Sequence, residues 1–301
     1  MINFLNLRYF VRVAEEKNMT RVAELEHITQ QSLSNHIKKI EQHYGVQLFD
    51  RTGGLTLTYA GEQIYKYAVS VLSLKHDMES EIQDMTDTEQ GTLRIGISYT
   101  RGSAFLPEVL PEFCKRNPYV KIDVIENNSQ VLEEYLLRGH IDLYVGANLR
   151  PSSEIKTVEL MREKHFLVVP KEISASHNES TKFSDYVAES FLLLTEGNRI
   201  RDMFDEFLRE QNLSVNIRLE GENIETLFSL ACRGMGITVY PEMFLKIHGG
   251  EDFLTRSPVS FLPMKADVFD SVLYVAYHEK RYLSNAAKCF IELAKNTGEK
   301  I

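Results

Sequence analysis

The chain has 301 residues, 43% hydrophobic and 26% charged, which is ordinary for globular protein and long enough for two domains or more. The longest apolar runs are pieces such as FLLL at residues 191–194, far short of the ~18 residues of a membrane span, and MINFLNLRYFVRVAEE lacks the apolar core and cleavage site of an export signal, so a soluble, cytoplasmic protein is expected. Cys114, Cys232 and Cys289 are odd in number and include no close pair, against a disulfide framework or a zinc site, and 34 basic against 43 acidic residues give a net charge of −9, without the overall basicity that would signal nucleic-acid binding.

Leu7, Phe10, Val11 and Ala14 share one face of a first helix. Thr20 is a good N-cap for a second, short helix that carries Val22, Ala23 and Leu25 and ends near His27. Thr29 caps a third, in which Leu33, Ile37 and Ile40 form a stripe expected in the core and Gly45 is the stop. Residues 48–51 and 55–58 are β-prone pieces around Thr52-Gly53-Gly54, a turn suited to a hairpin, so the three helices carry a wing. From the N-cap Thr58 to about Asp87 no proline intervenes, and apolar residues recur at Ile64, Val71, Met78 and Met85. This predicts one helix of roughly 45 Å, too long for a small domain to cover, so its apolar face needs a partner chain. Lys75 interrupts the second stripe (Ala68, Ile82), and MTDTEQGT at 85–92 reads as a hinge.

Beyond the hinge the period changes. Strands at 93–97, 120–124 and 141–145 alternate with helices at about 103–116 and 129–138, and a second set has strands at 166–170, 191–194, 215–219 and 237–240 with helices from about Arg199 and Ile224. The alternation predicts two α/β lobes, each a parallel sheet covered by helices. The last strand, 271–277, and a helix over 283–294 return to one of them.

On the third helix, burying Leu33, Ile37 and Ile40 turns Gln31, Asn35, Lys38 and Gln42 outward, with Ser34 beside them. Gln and Asn can bond adenine edges, Ser either base edge, and Lys38 and Lys39 phosphates, while Arg51 and Thr52 of the wing suit an adjacent minor groove; simple solvation would give the same polar face. In the lobes, ligands are expected at the carboxyl ends of strands. Ser98, Tyr99, Thr100 and Arg101 follow the first strand, Asn127, Asn128 and Ser129 the second, and Thr195 to Arg199 the strand at 191–194. Hydroxyls and helix-start amides there suit a small organic or anionic effector with Arg101 or Arg199 as counter-charge, although each Ser, Thr or Asn is equally an ordinary N-cap. Gly146 and Gly234-Met235-Gly236 read as places of close backbone approach. No catalytic motif, metal-ligand pairing or phosphate loop stands out, so neither an enzyme nor a cofactor is expected.

The run NMTRVAELEHITQQSLSNHIKKIEQHYGVQLFDR (18–51), with LTLTYAG (55–61), closely resembles the signature of the LysR-type transcriptional regulators. The resemblance implies an α plus α/β fold with a winged helix-turn-helix at 1–58, a linker and dimerisation helix with hinge at 59–89, and a two-lobed periplasmic-binding-protein-like (type 2) effector domain at 90–301. Lobe I would comprise about 90–161 and 268–301, lobe II about 162–267. It places Thr29, Gln30, Gln31, Ser32, Ser34 and Asn35 on the recognition helix and Ser98 to Arg101, Asn128, Ser129, Gly146, Thr195 and Arg199 around the effector. Partners would be double-stranded DNA, an imperfect palindrome near a promoter, and a second copy of the chain, with tetramers built from dimers. Gln31 stands where this family very often has proline and Glu26 where it usually has leucine. Cys232 and Cys289, 57 residues apart among apolar neighbours, read as structural rather than as a peroxide sensor. A solute-receptor-type binding protein is the alternative for residues 91–301 alone, and an α/β enzyme a second one.

Overall fold

The computed structural model describes residues 2–50, 54–86, 91–147, 149–175, 182–247, 251–264, 269 and 271–298. They form two compact units, Met1–Thr88 with Arg138–His140, and Glu89–Leu137 with Ile141–Ile301.

The first unit contains α1 (Phe4–Glu16), α2 (Met19–Leu25), α3 (Gln30–Tyr44), the hairpin β1 (Phe49–Asp50) and β2 (Thr56–Leu57), and α4 (Tyr59–Met85). Phe10, Val13, Val22, Leu33, Ile37, Ile40 and Leu48 make its core. Thr29 caps α3 by accepting the Ser32 N–H at 3.1 Å, and Gly45 ends it in the left-handed region. One expectation fails on α2. Its N-cap is Asn18, which accepts the Arg21 N–H at 3.1 Å, not Thr20, because a carboxamide two residues earlier reaches the free amides first. Leu25 is exposed, and the contact to α1 is made instead by Glu26, whose oxygens receive Arg8 at 2.8 Å and Arg12 at 2.6 Å. A carboxylate where leucine is usual thus meets two guanidinium groups one turn apart on α1.

The start of α4 is stitched to the base of the wing. Thr58 accepts the Gly61 N–H at 3.0 Å while its hydroxyl donates to the Gln47 carbonyl at 2.6 Å, and its own N–H donates to the Leu48 carbonyl at 3.0 Å. Along the 27 residues of α4, about 40 Å, Ile64 packs back on the core, but Tyr67, Val71, Leu74, Met78, Ile82 and Met85 are exposed. Their spacings of three or four residues draw one apolar line. Lys75, two turns before Ile82, interrupts the edge of that line and is paired with Glu79 and over the Phe4 ring.

In the second unit, lobe I holds β3 (Gly91–Ile97), α5 (Tyr99–Arg116), β4 (Val120–Glu126), α6 (Ser129–Arg138), β5 (Leu143–Ala147) and β6 (Ile155–Glu163), with β12 (Ser271–His278) and α12 (Asn285–Gly298) returning from the chain's end. Lobe II runs from β7 (His165–Pro170) through α7 (Lys171–Ser174), a 3₁₀ turn (Phe183–Tyr186), β8 (Ser190–Leu194), α8 (Arg199–Glu210), β9 (Asn216–Gly221), α9 (Ile224–Ala231), β10 (Thr238–Pro241), α10 (Glu242–Ile247) and α11 (Glu251–Arg256) to β11 (Val259–Pro263). The lobe I order is β4-β3-β5-β12-β6. In lobe II a parallel bridge between Phe191 and Ile237 joins the pair β9-β8 to β10-β7-β11, giving the same order.

The sheets are mixed, which corrects the expectation of parallel ones. β3 runs parallel to β4 and β5, and β8 to β9, but β12 and β7 are antiparallel to both neighbours. The reason is connectivity: β7 and β12 are the strands by which the chain enters each lobe from the other, so they descend from the cleft while β3, β4 and β5 rise toward it. β6 and β11 were not expected from the sequence; both are edge strands, and IKTVELMRE alternates charge with apolar residues instead of forming an apolar run.

A Cβ on Gly61 would stand 2.1 Å from the Leu48 carbonyl oxygen, a backbone atom that cannot swing away. Gly61→Ala is therefore expected to destabilise the N-terminal unit by ~1–3 kcal/mol, lowering its thermal midpoint by several degrees in calorimetry of the full chain; an unchanged midpoint would show that α4 is not seated on the wing.

Candidate nucleic-acid interface and effector cleft

The outward face of α3 has the composition the spacing predicts. Thr29, Gln30, Gln31, Asn35, Lys38 and Lys39 are exposed, Ser32 and Ser34 half-buried. Thr29 spends its hydroxyl oxygen on the helix cap. Arg51 and Thr52 lie outside the described residues. What fixes the rotation of α3 is a polar joint missed in the sequence. The Asn6 carboxamide oxygen accepts the Asn3 N–H at 3.0 Å, closing a capping box with Asn3, and its amide nitrogen meets His36 Nδ1 at 2.9 Å. Asn6 is buried, and Tyr9 packs edge-on against the His36 ring. Because the carboxamide oxygen is committed to Asn3, the nitrogen must donate to His36, so Nδ1 has to be unprotonated. Burial, and then Lys39, hold the His36 pKa below its ordinary value.

The second candidate site lies where the carboxyl ends of β3, β4, β5 and β8 meet. Ser98 is buried at the N-cap position of α5, its carbonyl accepting Arg101 N at 2.9 Å and Gly102 N at 3.0 Å, with no capping bond from its hydroxyl. α5 begins earlier than expected, so Tyr99, Thr100 and Arg101 belong to its first turn rather than to a loop; the side chains of Tyr99 and Thr100 lie outside the description. Asn128 accepts the Val131 N–H at 3.0 Å and is the N-cap its alternative reading proposed. Ser129 is buried at the start of α6, and Thr195, half-buried, donates its N–H to the Gly221 carbonyl at 3.0 Å.

Both arginines expected as counter-charges are already paired. Arg101 is buried, bonded to Glu163 and to Met243 Sδ at 3.1 Å. Arg199 of lobe II donates to Glu133 of lobe I at 2.9 Å, and Asp202 stands 3.7 Å away. A cleft of about 250 Å³ opens beside Arg199, lined by Ser129, Gln130 and Arg150 and by the acids Glu196, Asp202 and Asp205.

Sequence reasoning missed Glu133, Glu163 and Tyr144. Tyr144 sits two residues before Gly146 and so on the same face of β5; a Cβ on Gly146 would fall 2.2 Å from its Cζ and 2.3 Å from its Oη. Burial pushes its hydroxyl up to about 12, the Ser129 hydroxyl beside it acting the other way. That i, i+2 pairing of an aromatic with a glycine was the available signal. The glycine at 236 does serve a close approach, its Cβ direction meeting the Ser190 carbonyl at 2.5 Å. Among the described residues no cluster of His, Cys, Asp and Glu fit to hold a metal occurs, and no helix is long and apolar enough to cross a membrane. The three cysteines are free; Cys232 and Cys289 are half-buried, and burial raises the Cys232 thiol, away from the reactive thiolate.

A winged helix-turn-helix, a long helix with an open apolar line and a two-lobed domain with a polar cleft define a ligand-responsive regulator of transcription. The family model described as "Bacterial regulatory helix-turn-helix protein, lysR family" matches residues 4–62, and "LysR substrate binding domain" matches residues 86–299. The chain belongs to the LysR family of bacterial transcriptional regulators. The Bacillus subtilis protein described as the uncharacterized HTH-type transcriptional regulator YybE is 28% identical over 285 residues, covering 94% of this chain and 95% of that one. Full-length OxyR from Pseudomonas aeruginosa has the same fold, with a TM-score of 0.68 and 24% identity over 98% of both chains. Full-length CbnR complexed with its target DNA aligns with a TM-score of 0.67 and 20% identity, over 98% of this chain and 99% of that one. The helix-turn-helix match sets aside the solute-receptor alternative.

Two outcomes test the geometry. Because the folded pKa of His36 is lowered, the unfolded chain binds more protons below about pH 6.5. The stability of the N-terminal unit is therefore whole above that pH and declines as pH falls through the folded value, and His36→Gln, which keeps an acceptor, flattens the decline in urea melts between pH 7 and 5; equal slopes for the two proteins would contradict the assigned tautomer. In the effector unit, Gly146→Ala destabilises by ~1–3 kcal/mol, and adding Tyr144→Ala recovers most of the loss. A double-mutant cycle showing simple additivity would mean that the two residues do not touch.

Proposed function

We propose that two copies of the chain, joined along the exposed line of α4, read the two halves of an imperfect palindrome near a promoter, with α3 in successive major grooves. Gln31, Ser34 and Asn35 address base edges, Thr29, Gln30 and Ser32 stand at the groove end of the helix, and Lys38 and Lys39 meet phosphates, with Arg51 and Thr52 supplying the wing's contact. Dimers pair into tetramers in the arrangement the family resemblance implies. The protein works in the cytoplasm as a regulator, without catalysis and without a bound cofactor. A small effector held between the lobes, at Ser98 to Arg101, Asn128, Ser129, Gly146, Thr195 and Arg199, shifts the population of quaternary arrangements by its differential affinity for them.

One observation carries the DNA reading: the three apolar side chains of α3 are fully buried while Gln31, Asn35, Lys38 and Lys39 on its other side are exposed. Thr29 and His36 have intramolecular duties, one capping the helix and one fixing its rotation. A net charge of −9 places the affinity in local contacts rather than in bulk attraction. Gel shifts with the DNA flanking the gene, at one stated salt concentration and with excess competitor, test it. Wild type binds a flanking segment selectively, and Gln31→Ala and Ser34→Ala each weaken that binding roughly 5- to 100-fold, the size of a lost base contact, while non-specific binding is unchanged. No preference for any flanking or selected DNA would sink the reading.

A further inference from the structure

Where the chain passes between the lobes, three buried polar atoms have no hydrogen-bond partner among the described residues: Glu163 Oε2, His165 Nε2 and the Ser271 hydroxyl. Each of these residues is at most 2% exposed. Folded proteins pair nearly all such groups, so three in one neighbourhood call for a common partner.

Strand register sets that neighbourhood. Ser271, the first residue of β12, stands directly opposite Glu163, the last of β6, so the two side chains share a face with Cβ atoms roughly 5 Å apart. His165 comes two residues after Glu163, and its Nδ1 is tied at 3.0 Å to the carbonyl of Phe269, two residues before Ser271. Burial lowers the His165 pKa, and of the charges around the ring Glu163 acts on it most strongly.

The bonds already made fix what each atom can still do. The other oxygen of Glu163 takes Arg101, which also reaches Met243 Sδ at 3.1 Å. Glu242, the second carboxylate acting on the ring, accepts the Lys164 N–H at 3.3 Å. Because the Phe269 carbonyl can only accept, His165 Nδ1 carries the proton and Nε2 of the neutral ring is an acceptor. Glu163 Oε2 is an acceptor too. The site therefore presents two acceptors and one hydroxyl, and the single hydrogen of Ser271 cannot serve both. A cation is disfavoured, since Arg101 already balances Glu163. Water has two hydrogens for the two acceptors and a lone pair for the hydroxyl, and buried waters make about three hydrogen bonds each. Two bonds of about 2.8 Å from one water span ~4.5 Å, close to the separation of an opposed pair of side chains.

We propose that the effector unit binds one water molecule as a built-in joint between its two crossings: the water donates to Glu163 Oε2 and His165 Nε2 and accepts from the Ser271 hydroxyl, linking the strand that leaves lobe I to the strand that returns to it.

A high-resolution crystal structure of the full-length protein tests this directly. The expected result is a density peak about 2.6–3.2 Å from all three atoms, lost in Ser271→Val, whose added methyl group takes that space. The second readout is the protonation of the His165 ring at pH 7, from nitrogen NMR of histidine-labelled full-length protein, with the signal identified by its loss in His165→Gln. Nδ1 is protonated and Nε2 is not, and the ring protons show a cross-peak to water. A structure without the peak, or with Ser271 bonded directly to Glu163 or His165, would overturn the proposal. So would a protonated Nε2, because the ring would then donate to Glu163 itself and leave the water no place.

Discussion

The buried ion pair between Arg101 and Glu163 is the contact on which the geometry of the effector unit rests. Both side chains are withdrawn from water, and removing either would strand the other at a cost of ~3–5 kcal/mol. Arg101 belongs to the first turn of α5, and Glu163 is the last residue of β6, one residue before the chain crosses into lobe II. Arg101 also reaches Met243 in α10 of lobe II. The start of α5, the first crossing and a helix of the opposite lobe are thereby fixed to one guanidinium. The second crossing is tied in by His165, which burial keeps neutral and whose Nδ1 meets the Phe269 carbonyl at 3.0 Å.

The same pair shows where sequence reading stops. Arg101 was legible as a cation at the end of a strand, and reading it as a counter-charge for an anion followed from that position. Its true partner comes from β6, an edge strand whose alternating charges gave no apolar run, so the carboxylate that occupies it was invisible. Arg199 fared alike, since Glu133, one turn along α6 from Ser129, comes from the other lobe and is far from Arg199 in the chain. Local patterns were far more faithful. The stripe Leu33, Ile37, Ile40 is buried, Thr29 and Thr58 cap the helices they were expected to cap, and Gly45 adopts the left-handed conformation. Each of these depends on residues within four positions. Asn18 against Thr20 was a contest between two good caps two residues apart, and helix propensity alone does not decide it.

In the N-terminal unit, the departures from the family pattern are absorbed locally. Glu26 replaces an apolar contact with a carboxylate that holds two arginines of α1, so α1 and α2 are joined at the surface by charge and in the core by Val22 and Ala23. Two of the unit's cations are thereby committed to a carboxylate at its surface. The basic groups left on the recognition helix, Lys38 and Lys39, carry correspondingly more of any attraction to phosphate, which suits a chain whose total charge repels nucleic acid.

The position of β12 has a bearing on how the molecule is made. It lies between β5 and β6, yet it is formed by residues 271–278. As the chain leaves the ribosome, every strand of lobe II is synthesised while lobe I still has a gap at its fourth place, with β5 and β6 each offering an unpaired margin. Lobe II is thus the part able to mature first during synthesis, and lobe I stays unsealed until Ser271–His278 is released. The effector cleft, which needs both walls, comes into being only after β12 has been made.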